Sequence, residues 1–328
     1  MSWRGAFRFR PEWVLLGVLL LEVAVFQSLG RNFGTPDNVE NMARHSVEFG
    51  LLALALLPVI LTGGIDLSVG SLLGLCAVVF GKLWRDAGLN WPLAALLTIA
   101  LGAGAGSFNG LLVTRLRLPP LIVTLGTYSL FRGLAEALTR GTDAFTNFPE
   151  SFLHLGTGRF GGLPVQAWLF LAIAAGIWVL VHHTVFGRSF RAIGFSPEGA
   201  RFAGLPVDRH LFGVYVLAGI IAAVASLTYT ARLGTAKADA GMGYELVAIT
   251  AVVLGGTSIF GGVGSVGGTL LGVATLAVLN NGLGRVPATM SYAAELSGLL
   301  TGLLLLVALT GLKVSEFCGR RSPRPVSV

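Results

Sequence analysis

Long apolar runs divide this chain, with short clusters of glycine, proline, serine and charge between them. Crossing the hydrocarbon core of a bilayer takes about 20 mostly apolar residues. On that measure the pattern predicts helices over 13–29, 46–61, 67–83, 92–113, 120–138, 165–181, 211–230, 246–259, 266–283 and 292–312. That makes about ten transmembrane helices, several shorter than a simple span requires. The short ones flank LTGGIDLSVGSLLG (61–74) and LGGTSIFGGVGSVGGTLLG (254–272). Broken or re-entrant helices are expected there, because backbone freed from a helix at membrane depth must be satisfied by protein or cavity water. The predicted class is an all-α integral membrane protein.

Composition agrees: 54% of residues are hydrophobic and 12% charged, whereas soluble domains carry roughly a quarter charged residues. The 46 glycines suit helices that pack closely without a hydrophobic drive between them. The net charge of +7 comes from basic residues scattered at the edges of apolar runs, which is membrane topology and not a nucleic-acid stripe. Thirteen basic residues fall on one side of the predicted topology and nine on the other, placing both termini in the cytoplasm. Arg4, Arg8 and Arg10 precede the first apolar run like the start of a signal peptide, but no A-x-A site follows, so an uncleaved first helix is expected. The organisation read from this is a cytoplasmic tail 1–12, a membrane domain 13–312 and a basic cytoplasmic tail 313–328. The longest connections, 139–164 and 182–210, each have room for one short helix and no soluble domain.

Candidate chemistry is sparse. Five histidines (His45, His154, His182, His183, His210) lie at span ends or in loops, none at metal-ligand spacing with Cys or carboxylate. Cys76 lies in an apolar segment and Cys318 in the tail, with no CxxC. Neither a G-x-S-x-G nor a G-x-x-x-x-G-K-[ST] phosphate loop occurs. No catalytic residue, metal site or cofactor is therefore expected, and any ATP must be bound by another chain. Of the ionisable residues in apolar runs, Arg132 and Glu136 stand four apart and can neutralise one another across a helical turn, whereas Glu22 has no local partner. Asp66 and Glu295 sit at helix starts; Asp66 can accept from the amides of Ser68 and Val69. Gly63, Gly64, Asp66, Ser68 and Gly70 thus form a candidate structural motif at a helix break. The fragments SVGSLLG and SVGGTLLG echo each other, which duplication and chance reuse of small residues explain equally. Within 188–209, Ser196 is placed to cap a short helix with Pro197 at its first position, Glu198 in its first turn and Gly204 to stop it.

Four stretches, TGGIDLSVGS (62–71), NGLLVTRLRLPPLIVTLGTYSLFRG (109–133), AIGFSPEGARFAGLPV (192–207) and YELVAITAVVLGGTSIFGGVGSVGGTLLG (244–272), together resemble the ribose-type permeases, membrane subunits of ATP-binding-cassette importers for monosaccharides. GLCAVVFGKL and GTAKADAG are most similar to permeases for autoinducer-2 and rhamnose. The resemblance implies a permease of the vitamin-B12-importer type in the bacterial inner membrane. Its implied partners are a cytoplasmic ATPase carrying ATP and Mg, a periplasmic or extracellular substrate-binding protein, and a second permease, identical or paralogous. It also implies that the Asp66 motif lies beside a pore, that Gly194, Pro197, Glu198, Ala200, Arg201 and Gly204 belong to a coupling helix, and that the pathway is lined by residues such as Asn109, Thr124, Thr127, Asn280 and Asn281. Ser196 replaces a usual Asn and Gly199 a usual Ala, the latter weakening the helix by about 1 kcal/mol. A self-sufficient ion-coupled transporter or channel using Glu22, Asp66 or the Arg132–Glu136 pair is the competing reading. An intramembrane enzyme would lack a nucleophile–base set.

Overall fold

The computed structural model describes residues 11–287 and 289–320 and is helical almost throughout. The first ten residues and the last eight, which hold most of the two expected tails, lie outside the described residues. The first five helices are α1 (Pro11–Leu29), α2 (Pro36–Leu61), α3 (Val69–Arg85), α4 (Trp91–Thr114) and α5 (Pro120–Leu138). The first long connection holds α6 (Glu150–Thr157) and a two-stranded antiparallel hairpin of β1 (Arg159–Phe160) and β2 (Leu163–Pro164). Helix α7 (Val165–Trp178) continues as a π-helical turn, Val179–His183. The second long connection holds two helices where the sequence suggested one, α8 (Val185–Phe195) and α9 (Pro197–Phe202). Helices α10 (Val207–Leu233), α11 (Tyr244–Leu254), α12 (Val266–Leu283) and α13 (Ala293–Arg320) complete the chain.

A helix stands at each of the ten expected positions, but lengths differ. Among the described residues seven helical segments are long and apolar enough to cross a membrane. Helix α3 with 17 residues and α11 with 11 fall short of the roughly 20 that a simple span needs. Helix α2 starts at Pro36 and not near 46, because polar PDNVENMARH hides its first turns from a hydropathy reading. Local chemistry explains the start: Pro36 at the first position, Asp37 in the first turn, and Glu40 paired with Arg44 one turn later at 2.7 Å. Helix α11 stops at Leu254 and not at 259, since Gly256 adopts φ +85°.

Helix α2 is the axis of the bundle. From Val47 to Leu61 every residue is buried, as expected of a helix apolar on all sides. Helix α1 presents most of its apolar surface outward. Helices α4 and α10 touch backbone to backbone: a Cβ on Gly102 would strike the carbonyl of Gly219, and one on Gly219 the carbonyl of Gly102. Small residues at such crossings let dispersion contacts and weak Cα–H bonds form in place of a hydrophobic drive. The result is a multi-pass membrane bundle with two distinct ends, one carrying α8 and α9, the other carrying α6 and the hairpin.

Candidate functional site

The loop between α7 and α10 is built as the sequence suggests. Ser196 Oγ accepts from Gly199 N at 3.0 Å, Pro197 opens α9, and Gly204 at φ +80° closes it. Six residues are too few for a self-standing helix. Packing supplies the rest, because Ala200 is buried with Ile193 and Val207 in a small apolar cluster beside Leu205 and Leu211. Glu198 and Arg201 face outward as expected, but Arg201 is already engaged, Nη2 lying 2.6 Å from Asp208 Oδ1. Both side chains are about half exposed, so the pair is worth about 0–1 kcal/mol. Sequence reasoning overlooked the aromatics: Phe202 is 92% exposed, Phe195 71% and Phe260 62%. Three phenylalanines set among polar and glycine residues were the available signal.

This loop packs backbone against backbone on both glycine-rich stretches, which are themselves joined by a hydrogen bond. Gly262 N donates to Leu61 O at 2.9 Å. Gly194 sits over that bond, where an added Cβ would overlap Leu61 O and Gly262 N and lie 3.0 Å from Gly261 C. Gly261 in turn presses on Gly63 N and Gly194 Cα, each 2.8 Å from its Cβ direction. Gly63, Gly261 and Gly262 all adopt positive φ, which side-chain-bearing residues resist. Three strands of backbone from distant parts of the sequence thus meet where no side chain fits. Both copies of the echo open a helix, α3 after Ser68 and α12 after Ser265.

Asp66 is 2% exposed and sits just beyond this junction. Its Oδ1 accepts from Ser68 N at 2.8 Å and Ser68 Oγ at 2.6 Å. The expected bond from Val69 N is not formed, because Ser68 is already helical (φ −79°, ψ −14°) and presents its own amide to the carboxylate. Asn109 Nδ2 donates to Ser68 Oγ at 2.9 Å, and Thr124 Oγ1 to Ile65 O at 3.1 Å. Thr127 Oγ1 reaches Thr124 O at 3.4 Å. Two of the five pore candidates, Asn109 and Thr124, therefore converge on the unwound segment 65–68 and tie it to α4 and α5, while Thr127 bonds within α5 one turn further on. Beside them Gly64 leaves room for Tyr215 Oη, which, like Asn109 Oδ1, has no hydrogen-bond partner among the described residues.

The other two pore candidates lie elsewhere. Asn281 exchanges two amide hydrogen bonds with Asn38, at 2.8 and 3.1 Å, and Asn280 Oδ1 accepts from Ser297 Oγ. They line a cavity of about 400 Å³ at the far end of the bundle, together with His45, Ser46, Phe49, Tyr244 and Arg285. Close to it, Arg232 Nε lies 2.7 Å from Glu48 Oε1, side chains 9% and 0% exposed, so a buried charge on α2 is neutralised from α10.

Arg132 and Glu136 do not pair. Glu136 faces outward, whereas Arg132, 7% exposed, turns the other way and donates through Nη1 to the carbonyls of Ala238 and Ala240. The helical spacing was real, but a loop offered the guanidinium two acceptors inside the fold. That loop, Gly234 to Gly243, alternates buried Ala236, Ala238 and Ala240 with exposed Lys237 and Asp239. Phe145 pins it by a two-bond bridge to Ala236, and Gly234, Gly241 and Gly243 lie in the left-handed region. It descends into the bundle. Helix α10 has 27 residues, about 40 Å, but α11, which returns to the α8–α9 end, has only 11, about 16 Å. Helix α11 therefore starts at mid-depth, and there Gly241 and Glu245 abut Gly70 in the first turn of α3. Two broken helices begin side by side.

Sequence comparison with known proteins identifies the family. The family described as branched-chain amino acid transport system / permease component matches residues 38–309. The permease LsrD of the autoinducer 2 import system from Escherichia coli strain K12 is 35% identical over 97% of this chain and 99% of its own length. LsrD of Shigella flexneri shows the same identity and coverage, and that of Escherichia coli O157:H7 is 34% identical. No solved structure matches the chain. With a match across most of its length and relatives aligned end to end, the chain belongs to this family of importer permeases, a transport subunit whose ATPase is a separate protein.

Proposed function

We propose that this chain is the permease subunit of an importer that moves a monosaccharide or sugar-like signal, of the ribose, rhamnose or autoinducer-2 class, into the bacterial cytoplasm. One observation carries the reading: α8, which leads directly into the exposed helix α9, meets both glycine-rich stretches by backbone contact at Gly194. Packed backbone has few intermediate arrangements, so a push on α9 reaches the Asp66 segment and the start of α12 as a displacement and is not absorbed. Gly194, Pro197, Glu198, Ala200, Arg201 and Gly204 then form the element on which the ATPase acts, with Phe202 as its exposed apolar contact. The full-length likeness to autoinducer 2 import permeases supports the substrate class.

In this reading the broken helices α3 and α11 and the apolar part of α13 complete ten crossings of the vitamin-B12-importer type. Both tails, 1–12 and 313–328, are cytoplasmic, and the α8–α9 end faces the cytoplasm. The α6 end faces a substrate-binding protein, and a second permease, identical or paralogous, closes the pathway. Reconstitution tests this directly. Uptake of a panel of ribose, rhamnose and autoinducer-2 into proteoliposomes should require ATP, the ATPase and the binding protein. Uptake by this chain alone, driven by a proton or sodium gradient, would refute it and favour the ion-coupled transporter.

A further inference from the structure

Arg132 and Glu245 are each 7% exposed, and both retain unused polar atoms: Nε and Nη2 of Arg132 and Oε2 of Glu245 have no partner among the described residues. Buried polar groups are normally hydrogen-bonded and costly to leave unsatisfied, and this cost falls where two helices begin at mid-depth. Their placement is read from α3. A Cβ on Gly70 would strike Glu245 Oε2, and one on Gly74 would lie 2.8 Å from Arg132 Nη1. Gly70 and Gly74 are four residues apart on one helix face, so the two charged groups address points about 6 Å apart along its axis. A hydroxyl oxygen that accepts from one of the unused guanidinium nitrogens at about 2.8 Å and donates to Glu245 Oε2 at about 2.7 Å spans up to about 5.5 Å between charged groups placed on neighbouring turns.

We infer that Arg132 and Glu245, at the junction of α3 and α11, form a transit site for a hydroxyl group of the passing molecule. The chemistry selects its class. A hydroxyl accepts from the guanidinium and donates to the carboxylate at once. A cation is repelled by Arg132 and an anion by Glu245, so the pair suits a neutral polyhydroxylated molecule. Helix starts at mid-depth add inward-pointing amides, the arrangement by which broken helices address polar cargo. Met242 and Leu246, 60% and 54% exposed on either side of Glu245 in the chain, mark the side from which the proposed site would be approached. Gly70 and Gly74 are required because a Cβ at the first would collide with Glu245 Oε2 and Gly241 O, and one at the second would crowd Arg132 Nη1 and the carbonyls of Ala238 and Ala240. The site deepens the importer reading and rests on it.

The test uses the complete importer in proteoliposomes, with whichever of ribose, rhamnose and autoinducer-2 it carries and the deoxy analogue of that compound. In Glu245→Gln and Arg132→Lys, molecules moved per ATP should fall at least tenfold, and the preference for the hydroxylated compound over its deoxy analogue at least fivefold. Preference holds the diagnostic weight, since a merely structural role, or a site filled by water alone, slows both compounds equally; an unchanged preference overturns the site. A second measurement leaves the pair intact: in Met242→Cys, maleimide labelling should slow at least threefold in the presence of the carried compound, and no slowing while uptake proceeds also overturns it. If none of the three compounds is carried, the importer reading itself fails, and this site with it.

Discussion

Replacing Gly194 by alanine probes the link between α9 and the two glycine stretches with a single carbon. The added Cβ would overlap Leu61 O and Gly262 N, the two partners of one 2.9 Å hydrogen bond, and both are backbone atoms that no rotamer change can move. Opening that bond costs about 0.5–1.5 kcal/mol net, and forcing a methyl into packed structure costs about 1–3 kcal/mol. Alanine recovers less than about 1 kcal/mol of helix propensity, because Gly194 is the penultimate residue of α8. The balance is about 2 kcal/mol against the junction, roughly a 30-fold shift in any equilibrium that depends on it. In reconstituted importer, Gly194→Ala should reduce molecules moved per ATP at least tenfold. Gly213→Ala on α10 is the control, since its Cβ meets nothing within 4 Å; it should stay within twofold of wild type. Wild-type coupling in Gly194→Ala, or equal losses in both variants, would refute the reasoning.

Asp66→Asn keeps an acceptor for the amide and hydroxyl of Ser68 and should retain most uptake, whereas Asp66→Leu leaves that amide buried without a partner at about 1–3 kcal/mol; equal loss in both would show that the charge itself matters. Arg232→Met strands the fully buried Glu48 and should cost about 3–5 kcal/mol in detergent denaturation, most of it recovered in Arg232→Met/Glu48→Gln; additive losses would count against the pairing. Phe202→Ser should weaken binding of the ATPase about tenfold with no fall in the permease melting temperature, because a side chain 92% exposed makes little contact within the chain; a lowered melting temperature would mean that Phe202 packs inside the fold. Arg201→Glu puts a second carboxylate beside Asp208 and should abolish substrate-stimulated ATP hydrolysis while leaving membrane insertion intact; unaltered stimulation would remove Arg201 from the contact.

Hydropathy and punctuation alone located the ten apolar helices, though not all their ends, with the two glycine-rich breaks and the α9 cap, because each depends on neighbours within one turn or on a continuous apolar run. Ser196, Pro197 and Gly204 act locally and were readable as such. What each polar side chain does was decided by tertiary structure. Arg132 and Glu136 have helical spacing that invites pairing, but two loop carbonyls a hundred residues away captured the arginine. The hydrogen bonds that Asn109 and Thr124 make to the chain around Asp66 were not legible in the sequence, and Glu245 gave no sign of importance until α11 proved to start beside Gly70. Periodicity tells which face of a helix is apolar but not which distant backbone lies against it. In a membrane bundle nearly every face is apolar, so the placement of small residues, legible only when helices are brought together, determines which polar groups meet.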